Sequence, residues 1–225
     1  MTLKDISFAD AHENIFYDQA LLESSEGGNS GEVLRFWEAS TFFVVLGRAS
    51  KFEDDIKVEQ VRKDDIVVVR RASGGGTVLQ GPGCLNYSLV LSIEKEPSLR
   101  NIRRSYEYIL GRVCHALSGI GIEATFAPVS DIVCQGRKFS GNAQSRRRRY
   151  LLHHGTILYN FPVAYMEKYL AIPKKQPAYR KNRNHSEFVT NIDATPSDIK
   201  HALASEFIRG STPIMLTSRI GINQP

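Results

Sequence analysis

The sequence predicts an α+β (α/β) domain of mixed, mostly antiparallel sheets flanked by helices, and three observations carry that prediction. Short β-branched runs cluster around tight turns, as at residues 131–134 and 138–140 on either side of Gln135-Gly136, instead of alternating singly with helices. One segment keeps helical spacing over several turns, from Ile102 through Tyr106, Ile109, Leu110, Val113, Ala116 and Leu117 to Gly119. With 225 residues, 42% hydrophobic and 24% charged, the chain is long enough and apolar enough for one sizeable core, and it has no internal repeats.

Taken in order, residues 9–24 place Ala11, Ile15 and Leu22 on one helical face with Phe16 and Ala20 beside them, and the run from Glu26 through Gly27-Gly28 to Gly31 ends the helix. Residues 33–37 and 41–46 read as a hairpin closed by Gly47. A short helix over 58–63 leads into a buried strand over 66–69, and three glycines follow in the connection. Strand character resumes at Thr77, Gly81-Pro82-Gly83 makes a turn, and 86–93 is another strand. After the long helix come a short strand over 124–127, the hairpin at 131–140 and a strand over 151–159. Pro162 begins a helix to Leu170, and residues 172–192 read as a polar, basic loop. Thr195 as N-cap, Pro196 at the first helical position and Asp198 in the first turn predict a helix to about Arg209, stopped by Gly210.

No run of about 18 apolar residues occurs, and the opening Met1-Thr2-Leu3-Lys4-Asp5 lacks a signal peptide's apolar segment, so a cytoplasmic protein with no membrane contact is expected. Cys84, Cys114 and Cys134 are odd in number and widely spaced, which predicts reduced thiols and no structural zinc. The net charge of +5 concentrates at 146–149 and 174–183, favouring an acidic partner or polyanion. RNA readers interleave aromatics with their basic residues, and only Tyr150 adjoins the arginine run, so no nucleic acid is expected.

Arg70-Arg71-Ala72-Ser73-Gly74-Gly75-Gly76-Thr77-Val78 sets two guanidinium groups beside residues without Cβ, where backbone N–H groups can approach an anion. Its bland counterpart is a glycine-rich hairpin loop. In Gly136-Arg137-Lys138-Phe139-Ser140-Gly141-Asn142-Ala143-Gln144, Lys138 puts a point charge beside a tight Ser-Gly turn, suited to phosphoryl or carbonyl oxygens, although a solvated strand lysine reads the same way. Asp131 is a Mg²⁺ ligand or the ordinary partner of a nearby cation. His153 and His154 point to opposite faces of a strand, so one is expected to pack. Cys84 and Cys134 are the thiols nearest these stretches, and packing is the ordinary fate of free cysteine.

Together, the segments at 70–78, Leu85-Asn86-Tyr87-Ser88, Ser130-Asp131-Ile132, 136–144 and Leu152-His153-His154-Gly155-Thr156-Ile157-Leu158 resemble the lipoate-protein ligase A family, part of the wider biotin and lipoate ligase superfamily. Order and spacing match from about Asn14 to Asn160. The resemblance implies a biotin/lipoate-ligase-like catalytic domain that joins lipoate to ATP, with Mg²⁺, and passes the acyl group from lipoyl-AMP to a lysine of an acidic lipoyl-domain protein. It implies that Lys138 is catalytic, bridging the lipoyl carbonyl and the α-phosphate. By the same resemblance Arg71, Gly75, Gly76, Thr77, Val78, Leu79, Asp131 and Lys138 would bind ATP, with Asp131 near the metal. Arg71, Lys138, Gly74 and His154 would bind lipoate, and Trp37, Phe43 and Leu46 would wall its apolar tunnel.

Two departures bear on function. Many relatives carry a histidine after the glycine loop where this chain has Val78-Leu79-Gln80. The longer ligases also carry a C-terminal domain, whereas one catalytic domain is expected here over 1–225; either the accessory domain is a separate protein, or the single domain works alone, or adenylation is not its task. A sister activity moves octanoyl from acyl carrier protein through a cysteine thioester. Its nucleophile is expected in the loop before the Gly-Arg-Lys segment, which here reads Ala127-Pro128-Val129-Ser130. A non-catalytic basic module binding RNA or an acidic protein is the remaining alternative.

Overall fold

All nine residues of the strand Cys84–Ser92 are buried, because both faces of this strand are covered. The computed structural model describes residues 1–209. In chain order it begins with β1 (Thr2–Asp5), α1 (Ala11–Glu26), β2 (Val33–Trp37), β3 (Phe43–Leu46), α2 (Phe52–Asp55) and α3 (Val58–Lys63). There follow β4 (Val67–Arg70), β5 (Val78–Gln80), β6 (Cys84–Ser92), α4 (Ile102–Ser118), β7 (Thr125–Ala127), β8 (Asp131–Cys134), β9 (Arg137–Arg146) and β10 (Tyr150–Leu158). The short helices α5 (Ala164–Tyr169) and α6 (His185–Phe188) precede α7 (Pro196–Ala204).

Seven strands form one sheet in the order β1-β2-β6-β10-β9-β8-β7, antiparallel throughout except for the β1–β2 edge. Three form a second, β4-β3-β5. The expected α+β class with mostly antiparallel sheets is what the chain adopts. Period-two alternation sorts the side chains of β6. Leu85, Tyr87, Leu89 and Leu91 join α4 and α7 in the main core. Asn86 and Ser88 face the other way. There α1 lays Leu21 and Leu22 on Val33, Val90 and Leu152, and the small sheet packs Phe43, Val45 and Val69 against Trp37 of β2 and Ile15 of α1. Each fully buried leucine or isoleucine contributes about 1.5–3 kcal/mol. The gap between α1 and the small sheet leaves Asn86 and Ser88 lining a cleft.

Several expectations need correction. Residues 33–46 are not a hairpin: β2 pairs with β6 and β1, while β3 crosses to the other sheet and pairs with β4 in parallel. Alternation marks a strand but not its partner. The strand expected to be buried at 66–69 is a sheet edge, with Val67 exposed and Val69 buried. Since β3 lies between β4 and β5, the glycine loop is a crossover, not a hairpin turn. The 172–192 stretch contains α6, held by a capping box of Asn184 and Glu187. β1 and α2 carried no signal in the residue pattern. The proposed stop at Gly210 lies outside the described residues. Among the described residues no helix is long and apolar enough to cross a membrane.

Gly155 marks the point where β6, β9 and β10 crowd together: an added Cβ would fall on the Asn142 carboxamide and against the Tyr87 ring. Gly155→Ala should therefore lower stability by about 1–3 kcal/mol, read as a lower urea midpoint at unchanged slope.

Candidate functional site

Between the polar face of the large sheet, the small sheet and the segment after α5 lies a cleft of about 480 Å³. Its floor is organised by a buried ion pair. Arg35 projects from β2 with no exposed surface and donates to Asp18 Oδ1 at 2.7 Å. Its remaining donors reach the Ile6 and Asn14 carbonyls and the Asn14 side chain, and the rings of Tyr17 and Trp37 flank it. Every guanidinium nitrogen is thereby satisfied.

Asp18 passes this order into the cleft. Its Oδ2 accepts from Ser88 Oγ at 2.6 Å and lies 3.7 Å from His154 Nδ1. Burial works against its charge, but the His154 imidazole, the Arg35 cation and the Ser88 hydroxyl outweigh it and hold the carboxyl below its usual range. On its far side His154 Nε2 meets Ser73 Oγ at 2.6 Å, and Ser73 Oγ accepts from Arg71 Nε at 3.0 Å. A continuous polar chain thus runs from β2 through α1 and β10 to the glycine loop.

Of the two loop arginines, only Arg71 faces the cleft. Arg70 turns outward and donates to the Gly47 and Ser50 carbonyls. Arg71 is buried and donates to the Gly74 and Gly76 carbonyls at 2.7 and 2.8 Å and to Val45 O at 3.3 Å. Burial pulls its pKa down to about 10, which leaves it a cation at neutral pH. The loop is therefore wrapped around its own arginine. Gly75 adopts φ +88° and touches β3 so closely that a Cβ on Gly47 would overlap the Gly75 carbonyl. Gly75, Gly76, Thr77, Val78 and Leu79 line the cleft, whereas Gly74 lies outside the lining and serves as an acceptor for Arg71.

Lys138 enters from β9. A register shift between Ile132 and Val133 bends the β8–β9 hairpin beside it. The absence of a side chain at Gly141 gives the lysine room, since a Cβ there would stand 2.9 Å from Nζ. Nζ pairs with Asp131 Oδ1 at 2.7 Å, and Asp131 Oδ2 accepts from Tyr179 OH at 2.6 Å. Both Asp131 oxygens are engaged, and no group of three His, Cys, Asp or Glu among the described residues could hold a metal ion. These residues do not fit a dedicated Mg²⁺ site; Asp131 stands as the partner of Lys138.

Of the three residues expected to wall an acyl tunnel, one borders the cleft. Trp37 lines the cleft together with Ile15 and Val45. Leu46, one residue after Val45 on β3, points to the opposite face, and Phe43 packs in the small core against Trp37 and Ile15. No cysteine lines the cleft: Cys84 is buried with its thiol on Gln80 Oε1, and Cys114 and Cys134 pack against the main core. The basic run is largely tied down, with Arg147 on Glu23, Arg149 on Glu26 and Arg146 on the Leu99 carbonyl, so it is not a free cationic face.

Asp18, Arg35, Tyr179, Arg180 and His185 were not singled out from the sequence. Asp18 carried a signal, since it falls on the helical face of Ile15 and Leu22, where a carboxylate needs a buried partner. So did Arg35, alone in the apolar run Val33-Leu34-Arg35-Phe36-Trp37.

Residues 10–208 match the family model described as the lipoyl protein ligase A/B catalytic domain. The octanoyltransferase LipM of Oceanobacillus iheyensis is 31% identical over 201 residues, 82% of this chain and 73% of that protein. The lipoate-protein ligase LplJ of Bacillus subtilis is 30% identical over 149 residues, 66% of this chain; the matched region spans only 44% of that protein's length. Among solved structures, a bi-partite lipoate protein ligase of Thermoplasma acidophilum, described with its E2 lipoyl domain, superposes with a TM-score of 0.79 at 22% identity, covering 92% of this chain and 82% of the other. A lipoate-protein ligase A bound with ATP gives 0.78 at 23%, covering 92% and 84%. At these identities the structural likeness speaks for the fold.

The histidine pair yields a pH test. His153 is fully buried, with Gln144 on its Nδ1 and the Tyr87 and Tyr106 rings around it. Burial, then the neighbouring His154, pulls its pKa from 6.5 down to about 3. The unfolded chain takes up this proton near pH 6.5 and the folded chain near pH 3, so the contribution is full above 6.5 and lost as pH falls through that window. The slope is about 1.4 kcal/mol per pH unit. Denaturation free energies measured from pH 7 to 3.5 should fall less steeply for His153→Gln, by about one proton's worth.

Proposed function

Since the chain belongs to the lipoyl protein ligase A/B catalytic-domain family, a family of lipoate-protein ligases and octanoyltransferases, we propose that it is an ATP-dependent lipoate-protein ligase. The observation that carries this reading is the Lys138–Asp131 pair opening onto a cleft that also holds the glycine loop and contains no thiol. A carboxylate has no leaving group and must be activated. In the proposed first step a lipoate carboxylate oxygen attacks the α-phosphorus of ATP, the bond to the bridging oxygen breaks, and pyrophosphate leaves with the electron pair. In the second, the ε-amine of a lipoyl-domain lysine attacks the carbonyl of lipoyl-AMP and expels AMP.

Lys138 supplies positive charge where the two anions meet and where charge develops on the carbonyl oxygen. Asp131, itself held by Tyr179, fixes the ammonium's position. Ile15, Trp37 and Val45 give the acyl chain an apolar wall, and Gly75 to Leu79 offer backbone groups to the nucleotide. His154 and the Arg71 loop border the lipoate side, in keeping with their shared contact through Ser73. Mg²⁺ would arrive with the triphosphate as part of the substrate, and a lipoyl domain is the acceptor this chemistry requires.

The relatedness to octanoyltransferase LipM favours a second reading, acyl transfer through a cysteine thioester. Against it, burial pushes the Cys84 thiol far up, and the loop at Pro128, Val129 and Ser130 that borders the cleft has no cysteine.

Lys138→Ala should reduce lipoyl-AMP formation by about 100-fold or more, measured by mass spectrometry with lipoate, ATP and Mg²⁺, while its circular dichroism matches the parent. Cys134→Ser should keep full activity. ATP-independent transfer from octanoyl acyl carrier protein, abolished in Cys134→Ser, would overturn the ligase reading.

A further inference from the structure

The cleft wall formed by the segment after α5 carries a buried cation that has no carboxylate of its own among the described residues. Arg180 is only 4% exposed. Its Nε donates to the Arg183 carbonyl at 3.0 Å and its guanidinium lies over the Phe188 ring at 4.7 Å, yet its Nη2 is buried without a hydrogen-bond partner. The carboxylate whose charge reaches it, Asp131, is already engaged by Lys138 and Tyr179. On the same wall His185, 7% exposed, has a buried Nε2 with no partner. It stands close enough to Arg180 for that cation, after burial itself, to lower its pKa. Lys175 borders the same cleft and is exposed.

A buried guanidinium without a counter-charge is strongly unfavourable, and proteins resolve it by pairing. Elsewhere around the cleft the charged groups have partners. Asp18 has Arg35, Asp131 has Lys138, and Arg71 is surrounded by carbonyls. Among the described residues Arg180 Nη2 has no acceptor and the exposed Lys175 borders the same cleft, a pair of cations suited to an anion carrying more than one negative charge. An acyl carboxylate supplies one, and a single α-phosphate is already provided for by Lys138 in the adenylation reading.

We propose that Arg180 and His185, with Lys175 at the mouth, form a separate polyphosphate subsite that holds the β- and γ-phosphates of the nucleotide and then the pyrophosphate leaving group. The inference rests on the adenylation reading for its role but not for its existence. During the first step the bridging oxygen takes the electron pair, and the guanidinium lies where that charge accumulates. Arg180 thereby assists departure, while Lys138 acts at the α-phosphate. Each charge-assisted hydrogen bond lost should weaken binding roughly 10- to 100-fold.

The test is calorimetric titration of the full chain with inorganic pyrophosphate, ATP and AMP, each separately, on the parent and on Arg180→Met, Arg180→Lys and His185→Gln. Arg180→Met should weaken pyrophosphate and ATP by roughly tenfold or more and leave AMP within about twofold, with Arg180→Lys recovering part of the loss. His185→Gln, which keeps the arginine–aromatic packing, should weaken pyrophosphate selectively as well. Equal loss for AMP, or unchanged pyrophosphate affinity in both the arginine and histidine variants at normal thermal stability, would overturn the subsite. A parent that binds pyrophosphate through Arg180 yet forms no lipoyl-AMP would uphold the subsite and remove the adenylation reading.

Discussion

The pairing of Arg35 with Asp18 is the constraint on which the site depends. A fully buried guanidinium demands a complete set of acceptors, and here they come from the stretch after β1, from α1 and from the flanking rings. Meeting that demand fixes how α1 lies on the large sheet. It also leaves one Asp18 oxygen free to organise Ser88 and His154. The loop that holds Arg71 is therefore tied, through His154 and Ser73, to an interaction two strands away as well as to its own arginine. Ion pairs of this kind contribute little net stability compared with apolar packing. What this one supplies is a unique relative placement of helix, sheet and loop.

The cleft divides its cations by how they are held. Arg71 is enclosed by carbonyl oxygens, which attract it without cancelling its charge. Lys138 is paired with Asp131 and is partly exposed. Arg180 has no carboxylate of its own among the described residues and feels only the Asp131 charge that Lys138 already holds.

Much of this was legible in the residues. The long helix at α4 announced itself by spacing, the β8–β9 hairpin by Gln135-Gly136, and α7 by its cap. Arg71, Lys138 and Asp131 could be singled out because short chemical motifs survive without knowledge of the fold, and the structure brings them to one cleft. What could not be read is partnership. β2 and β3 both look like strands, yet β2 pairs with β6 and β3 with β4 and β5, partners distant in sequence that no local pattern names. Asp18 hid inside a helix whose buried face is itself polar, with Asn14 and Ser25 on it. Arg180 and His185 hid in a stretch without periodicity, because a short capped helix and 3₁₀ turns leave no repeating pattern.

The strand order of the large sheet also has a temporal side. Its middle strands, β6 and β10, are separated in sequence by α4 and the whole β7–β9 excursion, and β2 finds β6 only across the small sheet's strands. The edge is closed late as well: Lys200 of α7 pairs with Asp5 of β1 at the opposite end of the chain. During synthesis the sheet has no complete centre until β10 has emerged, so β6, once paired with β2, must wait with its other hydrogen-bonding edge open. Formation of the native state is thus governed by distant closures, a slow class of folding that exposes strand edges to other molecules meanwhile. The cellular requirement that follows is protection of a nascent chain, not of a finished enzyme.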